Sequence, residues 1–122
     1  MFGTGGRAGR ALVGEALRRG HLVTGVVRDP RRHQDLAGPG VRLVTGDATD
    51  PACAPNVTEG ALALVNAVTP FSTPPDSFDG FDTSYYVRLA EILADAADQA
   101  HVGRVIEIGL AATLKTGTGR LY

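Results

Sequence analysis

The chain opens with Met1-Phe2-Gly3-Thr4-Gly5-Gly6-Arg7-Ala8-Gly9, and the reading of the remainder hangs on this stretch. Glycines at 3, 6 and 9 give the spacing G-x-x-G-x-x-G, and a helical pattern begins directly behind it. Between a strand and a helix, such a loop brings backbone N–H groups and the positive helix N-terminus up to a phosphate. The spacing alone is weak evidence in a chain with 16 glycines, so the context has to carry the reading. Only Met1 and Phe2 stand before Gly3, so the first strand of the unit is expected to be nearly missing.

Outward from the loop, residues 7 to 19 predict a helix with Ala8, Ala11, Leu12, Ala16 and Leu17 on its apolar face and Gly20 as its stop. His21 to Val27 is a β-branched run of the kind found in buried parallel strands. Asp29 before Pro30 marks a helix start, and the short helix should end near Leu36, before Gly38-Pro39-Gly40. Val41 to Thr45 predicts the next strand, Asp50-Pro51 starts a weak helix toward Glu59, and Ala61 to Val68 predicts a third apolar strand. Thr69 to Gly80 holds three prolines and reads as a loop. Thr83 to Ala100 is the clearest helix, capped by Asp82 or Thr83, with a stripe of Tyr86, Leu89, Ala90, Leu93, Ala96, Ala97 and Ala100. Arg104 to Ile108 predicts the last strand, and Leu114 to Tyr122 shows no clear element.

Strands alternating with helices imply an α/β fold with a doubly wound parallel sheet. With a first strand restored before Gly3, the expected strand order is 3-2-1-4-5, in a single domain over residues 1–122. The bulk properties agree: 122 residues, 43% hydrophobic and 20% charged, make one ordinary globular core. A net charge of −1 gives no global attraction to nucleic acid or to a membrane surface. Seven of the 12 basic residues lie within the first 32 positions, which suits a small anionic ligand there. Cys53 is the only cysteine, so no intrachain disulfide exists and a reducing cytoplasm is the expected location. No run reaches the ~18 apolar residues of a membrane span.

The strand ends supply the rest of the candidate site. A dinucleotide site selective for NAD usually offers a carboxylate to the ribose at the end of the second strand. Here Arg28 stands first, and the Asp-Pro pairing assigns Asp29 to helix capping. Arg28, with Arg31 and Arg32 nearby, favours a 2′-phosphate, hence NADP(H) over NAD(H); Arg31 and Arg32 also read as solvated surface. Asp47 is placed either to accept from an adenine amino group or to close a local Asx turn. Asn66, with Ala67 and Val68, either flanks the inner ribose or satisfies loop backbone at a strand end.

With these pieces in place the chain resembles the atypical short-chain dehydrogenase/reductases with NAD(P)-binding Rossmann domains. It is most similar to their NADH-flavin reductase branch, related to NmrA-like and biliverdin-reductase-B-like proteins. The matching segments are GTGGRAG, ALRRGHLVTGVVRDP, VRLVTGDATDP, ALALVNAVTP and RVIEIGLAATL. The resemblance implies that Gly3, Thr4, Gly5, Gly6, Arg7 and Ala8 cradle the pyrophosphate. It implies that Arg28 meets the 2′-phosphate, that Asp47 and Ala48 meet the adenine, and that Asn66, Ala67 and Val68 meet the inner ribose. Thr113, where the family often has a serine near the nicotinamide, is the one candidate at a catalytic position, and no metal is implied. The implied activity is hydride transfer from NADPH to a flavin (FMN or FAD) or another small acceptor, with a homodimer compatible with it. The family's Tyr-x-x-x-Lys pair cannot be built, because Leu89 and Ala90 follow Tyr85 and Tyr86 at that spacing and Lys115 is the only lysine. Members carry a full first strand and a C-terminal substrate segment, both expected to be absent here. A non-catalytic NAD(P)-sensing module and an inactive fragment of the reductase are therefore the alternative readings.

Overall fold

Phe2 lies between two pairs of parallel strands and is bonded to both. In the computed structural model of the protein, residues 1–71, 73, 75–77, 79–109 and 117–118 are described. Strand β1 (Val23–Val27) pairs in parallel with β2 (Val41–Thr45), Val23 opposite Val41 and Val27 opposite Thr45. Strand β3 (Leu64–Asn66) pairs in parallel with β4 (Val105–Glu107), Leu64 opposite Val105. Phe2 forms parallel bridges to Val26 on one side and Asn66 on the other. Its N–H donates to the Val65 carbonyl at 2.8 Å, its carbonyl accepts from Ala67 N–H at 3.0 Å, and the Met1 carbonyl accepts from Val26 N–H at 2.8 Å. The Phe2 ring is buried among Val26, Leu64, Leu89 and Leu93, so one residue supplies both backbone pairing and a large share of the core.

The helices form where the apolar spacing predicts, with corrections at their ends and faces. Helix α1 spans Arg7–Arg18, and Gly20, at φ +80°, ends it; the N–H groups of Arg19, Gly20 and His21 donate to carbonyls of its last turn. Its buried line is Gly9 and Val13, flanked by Leu12, Ala16 and Leu17, whereas Ala8 and Ala11 are exposed. Alanines are too small to set a helix's rotation; the close approach at Gly9 sets it here. A 3₁₀ helix spans Pro30–Leu36, and the Asp29 carboxylate accepts from Arg31 N–H as the Asp-Pro pair predicts. Helix α2 (Cys53–Thr58) is shorter than expected, because Asp50 is used in a turn before it, accepting from Ala52 N–H at 2.9 Å.

Strand β3 is only three residues of the predicted eight: Leu62 is 92% exposed, and after Asn66 the chain turns away. Helix α3 (Tyr85–Gln99) buries Leu89, Leu93, Ala96 and Ala97. Tyr86 and Ala90, expected in its stripe, face outward, while Tyr85 and Ile92 pack against the core instead. The seam is therefore shifted by one residue, toward the larger branched side chain. Among the described residues no helix is long and apolar enough to cross a membrane.

Asp82 organises the entry to α3. Its carboxylate accepts from Ser84 N–H at 3.0 Å, from Ser84 Oγ at 2.6 Å and from Arg88 Nη2 at 2.7 Å. The Ser84 hydroxyl contributes most to holding its pKa down to about 2, followed by Arg88. A group depressed in the folded state stabilises it above its unfolded pKa, near 3.8, and loses that contribution as pH falls through about 2. The Asp82 carboxyl should therefore titrate near 2 in a carbon-detected NMR titration, and the Ser84 amide should lose exchange protection as pH falls from 4 to 2. In Asp82→Asn that pH dependence should disappear.

Candidate functional site

Because the strands are parallel, the ends of β1, β2 and β3 and the loop after Phe2 share one edge, and the glycine loop is fitted there by close contact. Gly3 has φ +74°, and a Cβ on it would lie 2.5 Å from the Ala67 carbonyl oxygen and 2.7 Å from Val68 N. A Cβ on Gly9 would collide with the Gly3 carbonyl oxygen and lie 2.7 Å from Thr4 Cα. Gly3 thus seats the loop against the end of β3, and Gly9 lets α1 cross it at backbone distance. Gly6 precedes α1 with no side-chain cap, and no acidic residue lies in the first turn. The Arg7 and Ala8 N–H groups, in that first turn, have no intrahelical acceptor, and the helix dipole adds positive potential there. Gly6 N–H itself is used inside the loop, donating to Gly3 O at 3.2 Å.

Thr4 is fully buried, its hydroxyl donating to Met1 O at 2.8 Å and its methyl facing Gly25. Its side chain anchors the loop to the sheet and leaves only its backbone for a ligand. Arg10 stands outside the apolar face of α1; its Nε donates to Gly5 O at 3.1 Å and its amino groups pair with Asp35. His33, which no sequence pattern marks, places its ring against Gly5, where a Cβ would meet it at 2.5–2.9 Å. The only sequence signal for this pair was an arginine immediately after the last glycine.

At the end of β1, Arg28 is exposed and makes no hydrogen bond or ion pair among the described residues. It lines an open cleft of about 570 Å³ with Asp29, Pro30, Arg31 and Thr45. Arg31 is taken up by Asp29, Nε–Oδ1 at 3.0 Å and Nη2–Oδ2 at 3.1 Å, which with the Arg31 N–H holds the Asp29 pKa down against partial desolvation. Arg18 and Arg19 share Glu15. The basic N-terminal third therefore divides into arginines tied to carboxylates and a few, Arg28 among them, that form no ion pair among the described residues.

Asp47, after β2, closes an Asx turn: Oδ1 accepts from Thr49 N–H at 2.9 Å and Thr49 Oγ1 at 2.7 Å. These bonds, the hydroxyl first, lower its pKa, and the Arg28 charge adds to the effect. Tyr85 has its pKa raised, chiefly by burial, with Tyr86 and Asp47 adding and Arg28 opposing, so this helix start borders the same edge. Ala48 is buried beside Asp47. Asn66 is 4% exposed; its amide donates to Glu107 Oε2 at 2.8 Å and its carbonyl accepts from Val68 N–H at 3.1 Å. It thus holds the Ala67-Val68 turn from behind, on the side where Gly3 abuts it. Thr113 lies outside the described residues. Among the described residues no group of three or more His, Cys, Asp or Glu is arranged to hold a metal ion.

An uncapped helix behind a glycine loop, at the shared end of parallel strands, is the arrangement by which α/β domains accommodate phosphate groups. The NAD(P)H-binding family model matches residues 3–121, and the chain belongs to that family. A search of the curated proteins finds no match. Among solved structures the chain is similar to a candidate exported protein from Burkholderia pseudomallei, with 31% identity and a TM-score of 0.75, covering 98% of this chain and 51% of that one. It shares its fold with the triphenylmethane reductase of Citrobacter sp. complexed with NADP(H), at 21% identity and a TM-score of 0.71, covering 90% of this chain and 36% of that one. It also shares it with the NADPH-dependent quinone oxidoreductase of Escherichia coli complexed with NADPH, at 21% identity and a TM-score of 0.67, covering 97% and 39%. The chain spans about half the length of the Burkholderia protein and less of the other two.

Two glycines of α1 test the loop geometry against each other. Gly9→Ala should destabilise the protein by about 1–3 kcal/mol, because backbone must move to admit the methyl group. Gly14→Ala, with nothing within 4 Å of the new methyl, should stabilise it by roughly 0.5–1 kcal/mol through helix propensity. Urea-unfolding midpoints at constant slope measure both.

Proposed function

We propose that this chain is the dinucleotide-binding part of an NADP(H)-dependent reductase that passes hydride to a flavin, FMN or FAD, or to another small acceptor. Its place is in the short-chain dehydrogenase/reductase group, on the NmrA-like side. The sheet order that goes with this reading is 3-2-1-4-5, with the Phe2 segment as strand one. The bridges from Phe2 to Val26 and Asn66 support that order.

The chain's own residues fit the group. Arg7 and Ala8 N–H groups in the uncapped first turn of α1 are suited to the pyrophosphate, and the absence of side chains at Gly3 and Gly5 lets the loop seat against the Ala67 backbone and the His33 ring. Asp47 and Ala48 lie beside the adenine position, and Ala67 and Val68, held by Asn66, beside the inner ribose. When bound, the nicotinamide supplies the hydride, and the protein binds and orients it. Thr113 belongs to this proposal as the residue that orients the acceptor.

Arg28 is the observation that carries the NADP(H) assignment. It is exposed and unpaired in the cleft after β1, and the neighbouring carboxylate, Asp29, is neutralised by Arg31. A free guanidinium in that place favours a 2′-phosphate through charge-assisted bonds worth about 1.5–3 kcal/mol, whereas a free carboxylate would favour the NAD ribose. In isothermal titration calorimetry, Arg28→Ala should weaken NADPH binding by roughly 10- to 100-fold and change NADH binding by less than about threefold. Equal losses for the two cofactors would overturn the assignment. NADPH oxidation on addition of FMN, FAD or a quinone tests the reductase step, and binding without turnover would favour a sensing module.

A further inference from the structure

We infer that Arg10 is a positioning residue of the phosphate loop, acting through the Gly5–Gly6 peptide and braced by Asp35. The inference rests on the dinucleotide reading above and names the residue that shapes that site. Both ends of the Gly5–Gly6 peptide are held. Its carbonyl accepts from Arg10 Nε at 3.1 Å, and its N–H donates to Gly3 O at 3.2 Å. Held at two points, the peptide cannot rotate to present its carbonyl oxygen to an anion at the first turn of α1. A carbonyl turned that way would oppose the helix dipole and the first-turn N–H groups.

Arg10 is in turn fixed from the 3₁₀ helix. Nη1 pairs with Asp35 Oδ2, Nη2 lies 3.4 Å from Asp35 Oδ1, and the same Nη2 lies 3.4 Å from His33 Nδ1. The His33 ring covers Gly5 from the same side. The guanidinium therefore links the loop that faces the pyrophosphate to the segment that follows Arg28. Its charge is matched by Asp35, so its contribution is geometric rather than a direct attraction for phosphate. Lysine cannot replace it, because a single ammonium cannot span the Gly5 carbonyl and both carboxylate oxygens in this arrangement.

This role has a signature distinct from that of Arg28. Pyrophosphate is common to both cofactors, so Arg10→Ala and Arg10→Lys should each weaken NADPH and NADH by the same factor, about tenfold, the scale of one lost hydrogen bond. Asp35→Asn separates geometry from charge. Removing a negative charge near the site would tighten dinucleotide binding if Arg10 acted as a free cation. If Arg10 positions the loop, Asp35→Asn should weaken binding instead. Calorimetry on the unaltered chain and the three variants, at a temperature where circular dichroism shows each folded, reads both effects. The Gly6 amide should also exchange faster in the Arg10 variants, by hydrogen-exchange NMR.

Binding by the unaltered chain together with wild-type affinity in Arg10→Lys, or tighter binding in Asp35→Asn, would overturn this inference alone. Absence of NADPH binding by the unaltered chain would overturn the dinucleotide reading and this inference with it. Should Arg10→Ala fail to fold, Arg10→Lys and Asp35→Asn carry the test.

Discussion

Three backbone segments meet in the space of two missing side chains. The Gly3 carbonyl lies where a Cβ of Gly9 would be, and the Ala67 carbonyl lies where a Cβ of Gly3 would be. This crossing brings α1 down onto the glycine loop, and the loop down onto the end of β3. The arrangement of the shared edge follows from it. The uncapped helix start is aimed at the strand ends, the buried Thr4 is anchored beneath, and the Asn66 turn is pressed against the loop. Glycine at 3 and 9 is a steric requirement here. Elsewhere, as at Gly14, the absence of a side chain meets no neighbour.

A second organising feature is the sorting of arginines. Seven basic side chains crowd the first 32 residues, and the fold ties several of them to carboxylates or to backbone. Arg18 and Arg19 share Glu15, Arg31 holds Asp29, and Arg10 is held by Asp35. Most of these pairs are exposed and contribute little to stability. Their consequence is electrostatic: they leave Arg28 as an unpaired cation at the cleft, next to a carboxylate that is already satisfied. The surface bridge between Asp29 and Arg31 thus leaves the Arg28 charge uncompensated by its neighbouring carboxylate.

The strand-end polar residues serve the protein first. Asp47 closes its own turn with Thr49, and Asn66 ties β3 to β4 through Glu107 while shaping the backbone after it. In both, the local use and the ligand-facing use were open from the sequence. The structure fills the local one and leaves the neighbouring backbone at the shared edge. Such turns hold a site in shape before a ligand arrives, which lowers the ordering cost of binding.

The sequence by itself determined the alternation of strands and helices. The signals were short-range: β-branched runs, Asp-Pro starts, and glycines at stops. Val41–Thr45 falls as predicted, and α1 and α3 fall within two residues of expectation. The sequence also located the glycine loop and singled out Arg28, because both depend on residue type at a fixed distance from an element's end. Tertiary structure decided which faces are buried, since Ala8, Ala11, Tyr86 and Ala90 satisfy helical spacing as well as the residues that fill the core. It decided that Phe2 joins the two strand pairs, by bonding to chain segments on both sides. It also decided that Arg10, His33 and Asp35 meet over Gly5, a contact across more than twenty residues. No periodicity encodes such a meeting, because it arises only when two elements are brought together by the sheet between them.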